Sequence, residues 1–256
     1  MDDTLYLSRL RCHHANTVAL VPRIRDKRDV PDAFDEVASS YDLLTTLNPG
    51  YQAHLNESAG RMRMPPGARL LDLCCGTGRS TRALAEAYPD ADIVAVDGSR
   101  AMLAAARRKP LSTRVDFLHG DAMNPVETAG VTPHFDGIFM AYGIRNVSDP
   151  DLCLQRLCAL LRPGGTICFH EYSVADAARS RLIWNAVTLG VIIPMGMVTA
   201  RRSPIYRYLR RSVLEFDGVT AFEKRLGRAG FVNVHTLPLG GWQRGIVHSF
   251  LATRPG

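Results

Sequence analysis

Lysine is scarce in this chain: it stands only at positions 27, 109 and 224, so the net charge of +6 on 256 residues is carried almost wholly by arginine. The sequence has no internal repeat and no low-complexity tract. With 46% hydrophobic and 22% charged residues, it falls outside the disordered, collagen-like and coiled-coil classes. No group of His, Cys, Asp or Glu has metal-ligand spacing. The six cysteines (Cys12, Cys74, Cys75, Cys153, Cys158 and Cys168) match neither a zinc site nor a secreted disulfide framework, and are expected to be reduced core thiols. Asp2 and Asp3 and the lack of an unbroken apolar stretch before the basic patch at 23–28 predict no secretory leader, hence a cytoplasmic protein. Charge of either sign is missing from residues 182–200, LIWNAVTLGVIIPMGMVTA, which Arg179, Arg181, Arg201 and Arg202 flank. By length and flanks alone this run could cross a membrane.

What is present reads as one domain. Residues 1–33 show no sustained periodicity and are treated as an N-terminal extension; residues 34–256 form the domain. Phe34, Val37, Ala38, Tyr41 and Leu44 fall at helical steps, and a second helix is expected from Tyr51 to Met62, before Pro65, Pro66 and Gly67. Strand-like runs at 69–73, 93–96, 115–118, 135–140 and 166–170 then alternate with helical patterns at 80–88, 102–108 and 151–161. Strands this apolar belong to a parallel sheet covered on both faces. A helix at 218–229 and strands at 231–237 and 246–252, joined through Gly240 and Gly241, predict an antiparallel ending. The uncharged run falls between the fifth strand and this ending. Spanning a bilayer there would put parts of one sheet on opposite sides, and Asn185, Gly190, Pro194 and Gly196 interrupt it. It is better read as a helical lid, about residues 174–215, over the open strand ends, with the following arginines near lipid headgroups. A buried helix pair or a dimer contact is the plainer alternative.

The residues that carry chemistry begin with Asp72-Leu73-Cys74-Cys75-Gly76-Thr77-Gly78, a glycine-rich turn between the first strand and a helix. Such a turn brings backbone close to a ligand and aims helix N-terminal amides at it. A dinucleotide fingerprint starting at Gly76 would need a third glycine where Thr81 stands, so hydride chemistry on NAD is disfavoured. Asp97, at the end of the second strand, is placed to accept ribose hydroxyls. Gly120-Asp121-Ala122, at the end of the third, puts a carboxylate where an adenine amino group would lie. Asp97 also has the plainer reading of a helix N-cap.

Over about residues 69–254 these features resemble the class I S-adenosyl-L-methionine-dependent methyltransferases, whose Rossmann-like seven-stranded sheet ends in an antiparallel strand. More selective stretches lie elsewhere: Phe34-Asp35-Glu36-Val37-Ala38-Ser39-Ser40-Tyr41-Asp42, Tyr142-Gly143-Ile144-Arg145-Asn146-Val147, Leu161-Arg162-Pro163-Gly164-Gly165, and Tyr206-Arg207-Tyr208-Leu209 followed by Ser212. From about residue 34 to 254 they resemble the ubiquinone and menaquinone biosynthesis C-methyltransferases. The resemblance implies methylation of demethylmenaquinol or of a polyprenyl benzoquinol, with S-adenosyl-L-methionine as cofactor, a lipophilic quinol as substrate, and a homodimer. It also implies that Thr77, Asp97, Asp121 and Ala122 are cofactor contacts, beside Asp72, Gly76 and Gly78 of the turn. Two positions depart from the family pattern: Cys74 replaces the usual first glycine, and Ala141 stands where a serine is frequent. A related methyltransferase acting on another hydrophobic aromatic is the alternative.

Methylating a quinol at carbon requires electron density on the ring, which partial loss of a hydroxyl proton supplies. A phenol-like pKa of about 10 makes the enzyme favour the phenolate or provide a base. Arg145 is the candidate for holding the developing oxygen charge, Asn146 for orienting that oxygen, and His170 or Glu171 for accepting a proton. Tyr41 and Tyr142 are candidates for lining the ring pocket. Each has a structural reading beside it: an ion pair for Arg145, a strand-end role for Glu171, core packing for the tyrosines. No base-handling motif and no interleaved aromatic and basic stripe is present, so no nucleic-acid partner is expected. Contact with the membrane surface, at the inner face of the cell membrane, goes with the lipophilic substrate.

Overall fold

Parallel strands cannot be joined by tight turns, and the alternation of apolar runs with helical patterns forces a crossover helix after each strand. The computed structural model describes residues 26–38, 42, 45, 46, 48–199 and 205–256. Strands β1 (Arg69–Leu73), β2 (Asp92–Asp97), β3 (Val115–His119), β4 (Phe135–Ala141) and β5 (Leu161–Tyr172) pair in parallel, with helices Arg79–Ala87, Arg100–Ala106, Pro125–Ala129 and Pro150–Leu160 between them. With β6 (Val232–Pro238) and β7 (Val247–Thr253) they form one seven-stranded sheet of order β3-β2-β1-β4-β5-β7-β6, a Rossmann-like methyltransferase fold. β7 runs antiparallel to both β5 and β6 and sits between them.

Local chemistry sets most boundaries. Ser99 Oγ accepts from Met102 N–H at 3.1 Å, starting the helix after β2; Asp149 Oδ1 accepts from Leu152 N–H at 3.0 Å, with Pro150 at the first helical position, after β4. One face of the sheet buries Phe135, Ile138, Phe169 and Phe250 against helices Pro150–Leu160 and Val219–Arg228. The other buries Leu70, Ile93 and Phe139 against helices Tyr51–Gly60 and Arg79–Ala87. Both sides being covered explains why β1 and β2 are apolar almost throughout.

Strand β5 begins at Leu161, five residues before the expected run, and two helices also differ from expectation. The short helix Pro125–Ala129 carries no apolar periodicity, and its signal is Pro125 at its start and Gly130, at φ 67°, at its end. The first helix begins at Val30, not Phe34, because Pro31 in its first turn fixes φ there; it starts inside the stretch read as an extension and runs past its boundary to Asp35.

Between β5 and helix Val219–Arg228 the chain is helical: Ala178–Val187, a π-helical turn Thr188–Ile192, Ile193–Thr199 and Ile205–Glu215. The wide turn has local causes. Thr188 Oγ1 donates to the Trp184 carbonyl at 2.7 Å, and Pro194 has no N–H to return to residue 190. Fully buried Trp184 docks this segment onto Tyr172, Val213 and Ile246. Arg201 and Arg202 lie outside the described residues.

Candidate active site

The turn after β1 is held open by left-handed backbone at Cys74 (φ 57°), Gly76 (φ 55°) and Gly78 (φ 82°). Cys74 stands in the region glycine prefers, which is strained for a side chain. It is accommodated because position 143 is glycine: a Cβ there would lie 2.7 Å from Cys74 Sγ. The departure from the family pattern at Cys74 is thus matched to Gly143 in a distant motif. Burial pushes the Cys74 thiol well above its ordinary pKa, so it stays neutral.

Asp97 is fixed at the tip of β2, where Gly76 N–H donates to Oδ2 and Ser99 N–H to Oδ1, both at 2.8 Å. Burial raises its carboxyl pKa, against the pull of those two amides. Cys74, Gly76, Asp97, Asp121, Ala122 and Ala141 line a cavity of about 470 Å³ at the strand ends, and Tyr142, Arg145 and Asn146 close one side of it. A cavity of this size, with carboxylates on consecutive strand tips and a glycine turn beside them, has the volume and acceptor set for a nucleoside-bearing cofactor.

Three residues of the expected cofactor set lie outside this lining. Asp72 is fully buried beneath the turn, where Ser80 Oγ (2.8 Å) and Thr81 Oγ1 (2.6 Å) donate to Oδ2 and Oδ1 has no hydrogen bond; burial pushes its pKa up to about 7. Gly78 packs against Ala106, leaving 3.2 Å between that methyl and a Cβ. Thr77 turns its hydroxyl to Asp42 Oδ1 at 2.6 Å. Asp42 also meets Lys109 Nζ at 2.6 Å and Arg79 Nε at 3.2 Å. Burial pushes its carboxyl up, but these partners outweigh it and hold the pKa below its ordinary value.

That clasp is part of a cover not foreseen in the sequence. Asp35 Oδ1 accepts from Ser99 Oγ and from Ala101 N–H (3.0 Å), Lys27 Nζ donates to the Val147 carbonyl at 3.0 Å, and Pro31 packs on Gly98, where a Cβ would lie 3.1 Å from its ring. Lys27, Val30, Pro31 and Phe34 thereby become walls of the polar cavity. The available signal was Asp29-Val30-Pro31, a helix start lying inside the stretch treated as an extension.

A second, mainly apolar cavity of about 270 Å³ adjoins the first. Phe34, Tyr142, Arg145 and Asn146 line both; Tyr51, Tyr172, Val191, Tyr206 and Trp242 are among the residues that line only the second. The Tyr142 ring lies between Tyr51 (centroids 5.7 Å apart) and Tyr172 (4.7 Å), and its φ of 56° turns the chain sharply after β4. Tyr41 lies outside the described residues.

Arg145 stands at the junction, 5% exposed. Nη1 donates to Glu171 Oε1 at 2.5 Å and to the Tyr142 carbonyl at 2.9 Å, and Nε donates to Ser212 Oγ at 3.3 Å. Nη2 makes no hydrogen bond among the described residues. Glu171 is fully buried and lines neither cavity. It also accepts from Tyr172 N–H at 2.9 Å; burial raises its pKa, with Arg145 opposing. Asn146 donates to the Tyr142 carbonyl (3.1 Å) and accepts from Tyr208 Oη (3.1 Å).

His170 is fully buried behind Tyr142. Its Nε2 lies 2.8 Å from Tyr142 Oη and its Nδ1 2.7 Å from Ser58 Oγ; Ser58 bonds Ser249 Oγ at 2.6 Å, which accepts from Arg61 Nη1 at 2.8 Å. Burial lowers the His170 pKa to about 3, so the ring is neutral at physiological pH and reaches the cavities only through Tyr142. The described residues contain no group of three or more potential metal ligands.

Residues 22–253 match the ubiE/COQ5 methyltransferase family. The chain is 33% identical over 205 residues to a demethylmenaquinone methyltransferase of Clavibacter sepedonicus, covering 78% of this chain and 81% of that one. It is 32% identical over 233 residues to the ubiquinone/menaquinone biosynthesis C-methyltransferase UbiE of Bradyrhizobium diazoefficiens, covering 84% and 91%. Among solved structures, a phosphoethanolamine N-methyltransferase of Haemonchus contortus in complex with S-adenosyl-L-methionine shares the fold, with TM-score 0.62, 18% identity, and coverage of 87% of this chain and 57% of that one. A SAM-dependent methyltransferase from Thermotoga maritima does so with TM-score 0.60, 18% identity and coverage of 87% and 98%.

Proposed function

The chain belongs to the ubiE/COQ5 methyltransferase family, and on that premise we propose that it transfers a methyl group from S-adenosyl-L-methionine to a ring carbon of an isoprenoid quinol, demethylmenaquinol or a polyprenyl benzoquinol. The observation that carries this reading is the meeting of a polar nucleoside-sized cavity and an apolar aromatic one at a single buried arginine. When bound, the cofactor supplies an electrophilic methyl group on a positively charged sulfur, already a good leaving group. Asp97 and Asp121 hold its polar end, the positive-φ turn at Cys74–Gly78 leaves it room, and Ala141 and Ala122 form the wall beside it.

On the acceptor side, Arg145 directs its Nη2 donors at the quinol oxygen and favours the phenolate, which puts electron density on the ring. Glu171 and the Tyr142 carbonyl fix the guanidinium by taking Nη1, so Glu171 acts as a positioning residue. Asn146 orients the same oxygen. Tyr142 forms the wall of the ring pocket, and His170, neutral behind it, holds its hydroxyl. The hydroxyl proton is lost to water as the phenolate forms, and the ring proton passes to that oxygen when the methylated ring regains aromaticity, the methyl–sulfur bond having broken as the carbon–carbon bond formed. Catalysis rests on alignment of methyl and ring carbon. The reaction belongs to the cytoplasm at the inner face of the cell membrane, where a water-soluble cofactor and a lipid-borne acceptor meet.

The test presents S-adenosyl-L-methionine to the purified protein with demethylmenaquinol and polyprenyl benzoquinol in parallel, both with short tails. Methylation at carbon of at least one is expected. Cofactor binding without methylation of either would move the acceptor to another hydrophobic aromatic, and no cofactor binding by calorimetry would overturn the reading.

A further inference from the structure

The stretch Ala178–Met197 has a mean hydropathy of 1.2, yet only 22% of its apolar window is buried. Trp184 and Thr188 point into the protein, whereas Leu182 (70% exposed), Leu189 (55%) and Met197 (50%) lie outside it, with Ala186 between the first two. A soluble helix ordinarily turns such residues inward. The chemistry around this face is one-sided: no acidic residue occurs between Ala177 and Leu214, while seven arginines do, at 179, 181, 201, 202, 207, 210 and 211. Of these, Arg179, Arg181, Arg207 and Arg211 are exposed, and Arg210 Nε is tied at 2.9 Å to Asn185 Oδ1 on the first lid helix.

We propose that this face lies in the plane of an anionic lipid surface and that the quinol enters the apolar cavity directly from the bilayer. The proposal rests on the quinol reading of that cavity. A volume of about 270 Å³ is just below what encloses one drug-sized ligand, enough for a ring and the start of its tail. The rest of an isoprenoid tail must leave past Val191 (50% exposed) and Trp242 (37%), both of which line that cavity. An apolar helix face with arginines beside it and an aromatic at the rim is the composition of an interfacial segment. A second copy of the chain fits less well, because a two-fold contact through this patch would set the same arginines against one another.

The experiment is flotation of the full chain with phosphatidylglycerol-containing vesicles, compared with pure phosphatidylcholine. The wild type is expected to float with the anionic vesicles and to be released by salt. The double variant Leu182→Asp/Leu189→Asp, neither residue lining a cavity, is expected to float at least about tenfold less. It should keep its melting temperature and its turnover of a short-tail quinol in solution, while turnover of a long-tail quinol embedded in vesicles falls in step with flotation. Arg179→Gln/Arg181→Gln should weaken flotation on anionic vesicles alone. Absence of wild-type flotation, or equal flotation of the Asp variant, overturns the proposal. So does loss of a dimer in the Asp variant, by sedimentation, with flotation unchanged, which would assign the face to a second copy. Failure to turn over short-tail quinols would instead refute the quinol reading, since flotation does not depend on it.

Discussion

The two cavities that meet at Arg145 are built on different plans. The floor of the polar one is made at successive strand tips: Cys74 and Gly76, then Asp97, then Asp121 and Ala122, with the two carboxylates held by backbone amides, while the Lys27–Phe34 segment covers it. The apolar one is assembled from side chains of segments remote in sequence, from Phe34 through Tyr51, Tyr142 and Val191 to Trp242, and is closed by helices rather than by the sheet. Backbone-built sites tolerate change in side chains but demand particular φ angles. Side-chain-built sites can change shape, and hence acceptor, without disturbing the fold. A family can therefore keep one cofactor and vary its substrate.

The strongest way to break this division is Arg145→Ala, which belongs to the acceptor side although it lines both cavities. Turnover should fall by roughly a thousandfold, about 4 kcal/mol of lost charge stabilisation, with cofactor affinity little changed by calorimetry. A matching loss of affinity would merge the two sites into one.

The next effect tests whether the polar side is scaffold before it is contact. Asp72, ordinarily at 3.8, is raised to about 7 by burial. A raised carboxyl contributes stability in full below its unfolded pKa and loses that contribution as pH rises through the folded one, here between about pH 4 and 7. Asp72→Asn removes this loss, roughly 4 kcal/mol at most, against about 2 kcal/mol from weakened bonds to Ser80 and Thr81. Urea unfolding should therefore find the variant less stable than wild type at pH 4 and more stable at pH 8. The smallest effect is Asp97→Ala, expected to weaken S-adenosyl-L-methionine by more than about tenfold, 1.4 kcal/mol. An unchanged dissociation constant would remove Asp97 from the cofactor site.

The same division decides how much could be read from the sequence. Strands, three of the four crossover helices, the glycine turn and the antiparallel ending were legible because period and punctuation are local: Gly76 and Gly78 lie two apart, and Asp97 and Asp121 each follow an apolar run within three residues. The second cavity was legible only as residue types, since nothing local shows that Trp242 and Phe34 share a wall. The clasp of Asp42 on Thr77, Arg79 and Lys109 was invisible for the same reason. Of the two readings of Arg145, the structure shows the ion pair, through Nη1; the contact of Nη2 with the quinol oxygen is the proposal that Arg145→Ala tests.

The place of β7 in the sheet also has a consequence for synthesis. Among the described residues β6 has no strand neighbour except β7, and β5 keeps an open edge until residues 247–253 fill the gap. A nascent chain on the ribosome can thus lay down β1 to β5 in order, but holds two unpaired edges until these last strand residues clear the exit tunnel. Through that interval the partly made sheet is a target for chaperones. A chain ending before Val247 would leave β5 and β6 unjoined.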